Sequence, residues 1–214
     1  RYKPFQIHMK KAFTIIILLL LSQVIMADEW MKAHKKTYTS QNGIYELIIE
    51  PTYTPKNYHK EIEKRNKNPK KYENSPLKDS IIPCHAKLYK KIGRWGRSEL
   101  MWEKDLVNPI APHNALITNN GKYVITFDDW YKLGYGENVM VVYGDEGDMI
   151  KRYKLHEITT LPQNQLSISV TSIWWYLGHE AYSEDPDKVK VLVVDKDSKI
   201  ENRIYNLSTF EFEE

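Results

Sequence analysis

The sequence predicts an all-β, antiparallel chain built from about three blade-like four-stranded units, as in an incomplete β-propeller or a β-sandwich. Three observations carry this. Two Asn-Gly dipeptides each sit between β-favouring runs, at Tyr38–Ile49 and Ala115–Phe127, a strong short-range hairpin signal. Two apolar strands, Val139–Tyr143 and Val189–Val194, each lead into a charged turn and then a strand ending in Tyr-x-Leu. The ends of those strands, Tyr143 and Val194, lie 51 residues apart, and Tyr89 precedes Tyr143 by 54. A period near ~50 residues with about four short strands per unit is the spacing of propeller blades.

The chain opens with a segment of another kind. Met9-Lys10-Lys11 is followed by an apolar run from Ala12 to Leu21 and by Ser22 to Ala27. A basic start, an apolar centre and a small residue at the end make a secretory signal peptide over 9–27, cleaved after Ala27. The 16 residues from Ala12 to Ala27 include Ser22 and Gln23. That is short for a spanning helix, which needs ~20 mostly apolar residues. Residues 1–8 read as an upstream extension, and 28–214 as one all-β domain. The expectation is an exported bacterial protein, periplasmic or extracellular, with no transmembrane segment after cleavage.

Cleavage also changes the charge. The whole chain has 31 basic and 28 acidic residues, a net of +3. Arg1, Lys3, Lys10 and Lys11 lie before Ala27 and no acid does, so the remainder carries one more acid than base. That argues against a nucleic-acid partner, because phosphate binding needs a basic surplus on the folded domain.

The elements follow in order. The first Asn-Gly hairpin precedes a segment, 51–83, that breaks the strand pattern with Pro51, Pro55, Pro69, Pro76 and Pro83 and eight Lys or Arg residues. This reads as a basic insertion, loop-like except for one or two helical turns at His59–Lys67, and solvated as charge runs usually are. Ala86–Tyr89 and Leu100–Leu106 form a weaker strand pair. Ala115–Ile158 reads as one complete unit, and Ser167–Tyr176 opens the last. Asp145–Asp148 and Asp195–Ser198 have the residues of calcium loops but not the ligand ladder, and read as tight turns. The single cysteine, Cys84, has no partner for an internal disulfide and reads as a small buried hydrophobe.

Two stretches gather chemistry. Asp128, Asp129, Trp130 and Tyr135 lie on the connection between two strands, where carboxylates beside aromatics suit a sugar or a cation. Adjacent carboxylates on a strand face opposite ways, however, which disfavours a glycosidase pair. Trp175, His179 and Glu180 lie on the second. One face of a Trp-Trp-Tyr strand should be core and the other should present an aromatic for sugar rings or peptide side chains. No zinc-protease helix, nucleophile elbow, phosphate-binding glycine loop or Cys-x-x-Cys is present, so no metal, cofactor or catalytic set is expected.

Residues 111–155, with their Asn-Gly-Lys-Tyr and Gly-Asp-Glu-Gly turns, resemble a segment of uncharacterised exported bacterial proteins with propeller-like β-sheets. The resemblance implies fold and compartment, and no active-site residue. The expected function is therefore non-enzymatic binding of a protein or an envelope glycan. The rivals are a secreted hydrolase using Asp128, Asp129, His179 and Glu180, and a structural subunit that completes its sheet array by oligomerising.

Overall fold

Twelve strands form three antiparallel four-stranded sheets in the computed structural model, which describes residues 31–73, 75, 77, 80–93, 97–166, 174–182 and 185–213. The first sheet holds β1 (Lys36–Thr39), β2 (Tyr45–Glu50), β3 (His85–Ile92) and β4 (Arg97–Asp105). The second holds β5 (Pro112–Ile117), β6 (Val124–Asp129), β7 (Met140–Tyr143) and β8 (Met149–Tyr153). The third holds β9 (Tyr176–Ala181), β10 (Lys188–Val194), β11 (Ile200–Asn206) and β12 (Glu211–Phe212). Each sheet is a meander in sequence order, and none closes into a barrel. All three belong to one compact unit.

The period-2 pattern of the strands decides the stacking. In β2, Tyr45, Leu47 and Ile49 are buried while Glu46, Ile48 and Glu50 are not. In β10 the same holds for Val189, Val191 and Val193. β6 and β7 are buried at every position. Ile125, Phe127, Met140 and Val142 pack with Val189, Val191, Val193 and Tyr205 of the third sheet. Val124, Val141 and Tyr143 pack with Leu47, Ile49, Ala86 and Leu88 of the first. The second sheet is thus the middle layer, and its alternate side chains fill two separate cores.

Turn chemistry fixes the hairpins. Ser40 Oγ donates to Asn42 Oδ1 at 2.7 Å and accepts the Tyr45 N–H at 2.9 Å. Thr118 Oγ1 donates to Asn120 Oδ1 at 2.7 Å and accepts the Tyr123 N–H at 3.0 Å. Gly43 and Gly121 take φ of 73° and 71°, the left-handed region that favours glycine. The two turns are bonded to each other, since the Asn42 N–H donates to Asn119 Oδ1 at 2.9 Å and Asn42 Nδ2 to Asn119 O at 2.7 Å. The charged turns also match. Gly144 N–H donates to Asp148 O, and Asp195 N–H to Lys199 O, both at 3.0 Å. Gly147 and Ser198 hold the left-handed position in each. The Asp195 carboxylate accepts from Asp197 and Lys199 main-chain N–H groups, which is turn geometry.

The segment between β2 and β3 is more helical than expected. α1 (Tyr58–Lys67) and α2 (Pro69–Tyr72) bury no residue. Glu61–Arg65 and Glu63–Lys67 pairs, four residues apart at 2.7 and 2.6 Å, support α1 along its solvated length. Pro69 opens α2 at a position where its missing N–H is no loss. Among the described residues no helix is long and apolar enough to cross a membrane. The expected signal peptide, 9–27, lies outside the described residues, as does Ser167–Ile173 of the expected opening strand. Trp174 and Trp175 form a turn, and β9 begins at Tyr176.

Candidate functional site

Asp128, one residue before the end of β6, has a φ of 57°, and its carboxylate turns into the core between the second and third sheets. Its Oδ2 accepts the Trp175 Nε1–H at 2.9 Å and the Gly134 N–H at 2.5 Å, and Oδ1 accepts the Asp129 N–H at 2.8 Å. Burial outweighs these three donors and pushes the Asp128 carboxyl up to about 7. Trp175 is fully buried, and Gly134 packs against its ring. Asp128 and Trp175 therefore tie the loop after β6 to the approach to β9.

Asp129 faces the other way, as alternation requires. Its Oδ1 accepts from Asn108 Nδ2 at 2.6 Å and its Oδ2 from Asn138 Nδ2 at 3.3 Å. Burial raises this carboxyl as well, against the pull of those two amides. Cys84 is on this side of the sheet, 1 % exposed, its thiol pushed up to about 12 by burial. Trp130 is also buried, stacked on His113 at 5.5 Å with the Lys36 ammonium 4.7 Å over its ring. Tyr135 is exposed and donates its hydroxyl to Gln163 O at 3.1 Å. The aromatic presented to solvent beside Trp175 is Trp174.

His179 and Glu180 lie elsewhere, on β9. His179 stacks on Phe127 at 4.9 Å, and its Nδ1 is hydrogen-bonded to the Tyr176 hydroxyl. Burial pushes this imidazole down to about 4, so it is neutral at physiological pH. Glu180 pairs with Lys190 at 2.5 Å on the next strand. The seven residues thus divide. Asp128 and Trp175 meet in the interior, Asp129 and Trp130 serve other contacts, Tyr135 is exposed on the loop after β6, and His179 and Glu180 share one surface.

That surface is a groove of about 320 Å³ lined by Tyr38, Thr39, Gln41, Asn114–Ile117 and His179–Ala181. Its walls are β1, β5 and β9, the first strand of each sheet and each at a sheet edge. Asn114 crosses it, donating from Nδ2 to the Tyr176 hydroxyl at 3.2 Å and accepting the Ala115 N–H at Oδ1 at 2.9 Å. The lining is uncharged except for the paired Glu180, so it offers hydrogen bonds rather than net charge. Tyr38, Thr39, Gln41 and Asn114 carry no motif in the sequence. The one signal that could have found them is position, since each lies in or beside a first strand before an Asn-Gly turn. No protein-family model matches the chain, and no curated protein matches it.

Proposed function

We propose that this is an exported, non-enzymatic binding domain of the bacterial periplasm or cell exterior, which takes an uncharged polar ligand of a partner protein or envelope glycan in the groove between β1, β5 and β9. The observation that carries this reading is the convergence of three first strands on one groove without surplus charge, with His179 neutral and Glu180 already paired. The Lys10-Lys11 start and apolar run support export, and the resemblance of 111–155 to exported propeller-like proteins agrees with it. The matched serine/threonine–asparagine–glycine turns and the matched charged turns support reading the sheets as copies of one unit. A hydrolase is less well supported, because Asp128 and Asp129 serve opposite faces of the middle sheet and Glu180 is bound to Lys190.

The test uses the chain beginning at Asp28, melted against peptidoglycan fragments, envelope polysaccharides and peptides. A ligand of the native state at a hundred times its dissociation constant adds ~2.7 kcal/mol, a shift of several degrees. Thr39 is exposed at the groove. Thr39→Trp should abolish the shift while leaving the unliganded melt unchanged. A shift that survives Thr39→Trp sinks the groove as the site. Secretion from a bacterial host with Asp28 as the new N-terminus would support export, and retention of residues 9–27 in the cell interior would refute it.

A further inference from the structure

We propose that the occupant of this groove is an extended peptide, bound edge-on by main-chain hydrogen bonds to β5 and the facing edges of β1 and β9. The inference rests on the groove being the binding site and goes further by choosing among its ligands. Its basis is the phase of the three edge strands. In an antiparallel ladder, alternate residues turn their main-chain groups toward the partner strand and those between turn them away. The bonds Ser40 N–H to Tyr45 O, Thr118 N–H to Tyr123 O and Tyr182 N–H to Lys188 O set that phase. Thr39, Ala115, Ile117, His179 and Ala181 therefore turn their main-chain groups away from β2, β6 and β10, and all five line the groove. His113 shares the phase of Ala115, and its carbonyl is met from β1 by Lys36 Nζ at 2.9 Å and the Tyr38 hydroxyl at 3.5 Å.

The groove already contains one contact of this kind. The Asn114 carboxamide oxygen holds the outward Ala115 N–H at 2.9 Å, which is the bond a peptide carbonyl would make. The next outward position on β5 is Ile117, ~6.8 Å along the strand, the repeat at which an extended peptide presents its own donors and acceptors. Thr39, Ala115 and Ala181 are small, so a backbone can approach these edges closely. The groove offers a charged polymer no surplus charge, since Glu180 is paired with Lys190 at 2.5 Å and His179 is neutral.

The test begins with a random heptapeptide library selected on the chain from Asp28 to Glu214. The strongest sequence is synthesised, and each of its peptide nitrogens is methylated in turn. Methylation at two alternate positions should weaken binding at least tenfold, with less than a twofold change at the position between. Thr39→Trp should abolish binding, and the bound peptide should slow hydrogen exchange at the Ile117 and Ala181 amides. An empty selection, or a peptide indifferent to methylation, overturns the inference. If peptidoglycan fragments bind instead and are lost with Thr39→Trp, the peptide falls and the groove stands. If no ligand is lost with Thr39→Trp, both fall.

Discussion

The middle and first sheets have the same four-strand meander but opposite surroundings. β6 and β7 are buried on both faces. The outer face of the first sheet has Lys35–Glu50 and Lys87–Glu103 pairs at 2.9 Å, and His85 set between Glu103 and Asp105 at 2.8 Å each. β4 carries Arg97, Glu99, Glu103, Lys104 and Asp105 along its open edge, charges that discourage further strand pairing. One meander is therefore an interior layer and the other a solvated end. The lesson is that strand order makes the sheet, while the side chains on its second face decide where it can sit.

The largest expected contrast is in packing. Phe127→Ala removes a ring buried in the middle sheet and should destabilise by about 4 kcal/mol in denaturant unfolding. Ile48→Ala, on the outer face of the first sheet, should cost under about 1 kcal/mol. Equal losses would break the comparison.

The second contrast is electrostatic. The ordinary carboxyl in the unfolded chain releases its proton near pH ~4, whereas native Asp128 holds it to about 7. Between those values the native state binds more protons, so stability should fall as pH rises and level off above 7. Asp128→Asn should flatten that slope in pH-dependent melts. An unchanged slope would place its origin elsewhere.

The third contrast compares the two matched turns. A Cβ on Gly121 would come within 2.2 Å of the Tyr45 ring, whereas one on Gly43 meets nothing within 4 Å. Both positions have positive φ. Gly43→Ala should cost about 1 kcal/mol for its backbone alone, and Gly121→Ala about 3 kcal/mol once the overpacking is added. Similar midpoints for the two variants would show that Tyr45 yields.

The smallest effect belongs to the charged face. Burial acts to lower the His85 value, but bonds to Asp105 and Glu103 outweigh it and leave the imidazole raised. Its contribution should be full below pH ~6.5, be lost as pH rises through the raised native value, and reach no more than about 1 kcal/mol. His85→Gln should remove that dependence, and a larger loss would mean the face is covered by a partner.

Much of this fold is legible in the residues. Asn42-Gly43 and Asn120-Gly121 specify left-handed turn positions, and the lysine–valine alternation over Lys188–Val191 marks a single buried face in β10. The unbroken Val139–Tyr143 run marks a strand buried on both. α1 is less legible, because Pro and Asn around it signal loop while its support comes from two i,i+4 ion pairs. Trp174-Trp175 is less legible still. Aromatic content suggests strand, yet Trp175 sits in the turn before β9 with its indole N–H bonded to Asp128, 47 residues away.

The candidate site divides in the same way. Residue order alone sets Asp128 and Asp129 on opposite sides, because adjacent side chains on a strand face apart. It determined the all-β class, because turn chemistry and period-2 burial are local properties of the chain. The burial of Trp130 and Trp175, and the shared groove of Thr39, Asn114 and His179, come from the packing of the sheets. Those residues lie on three sheets and meet through packing, a long-range outcome that no local pattern encodes.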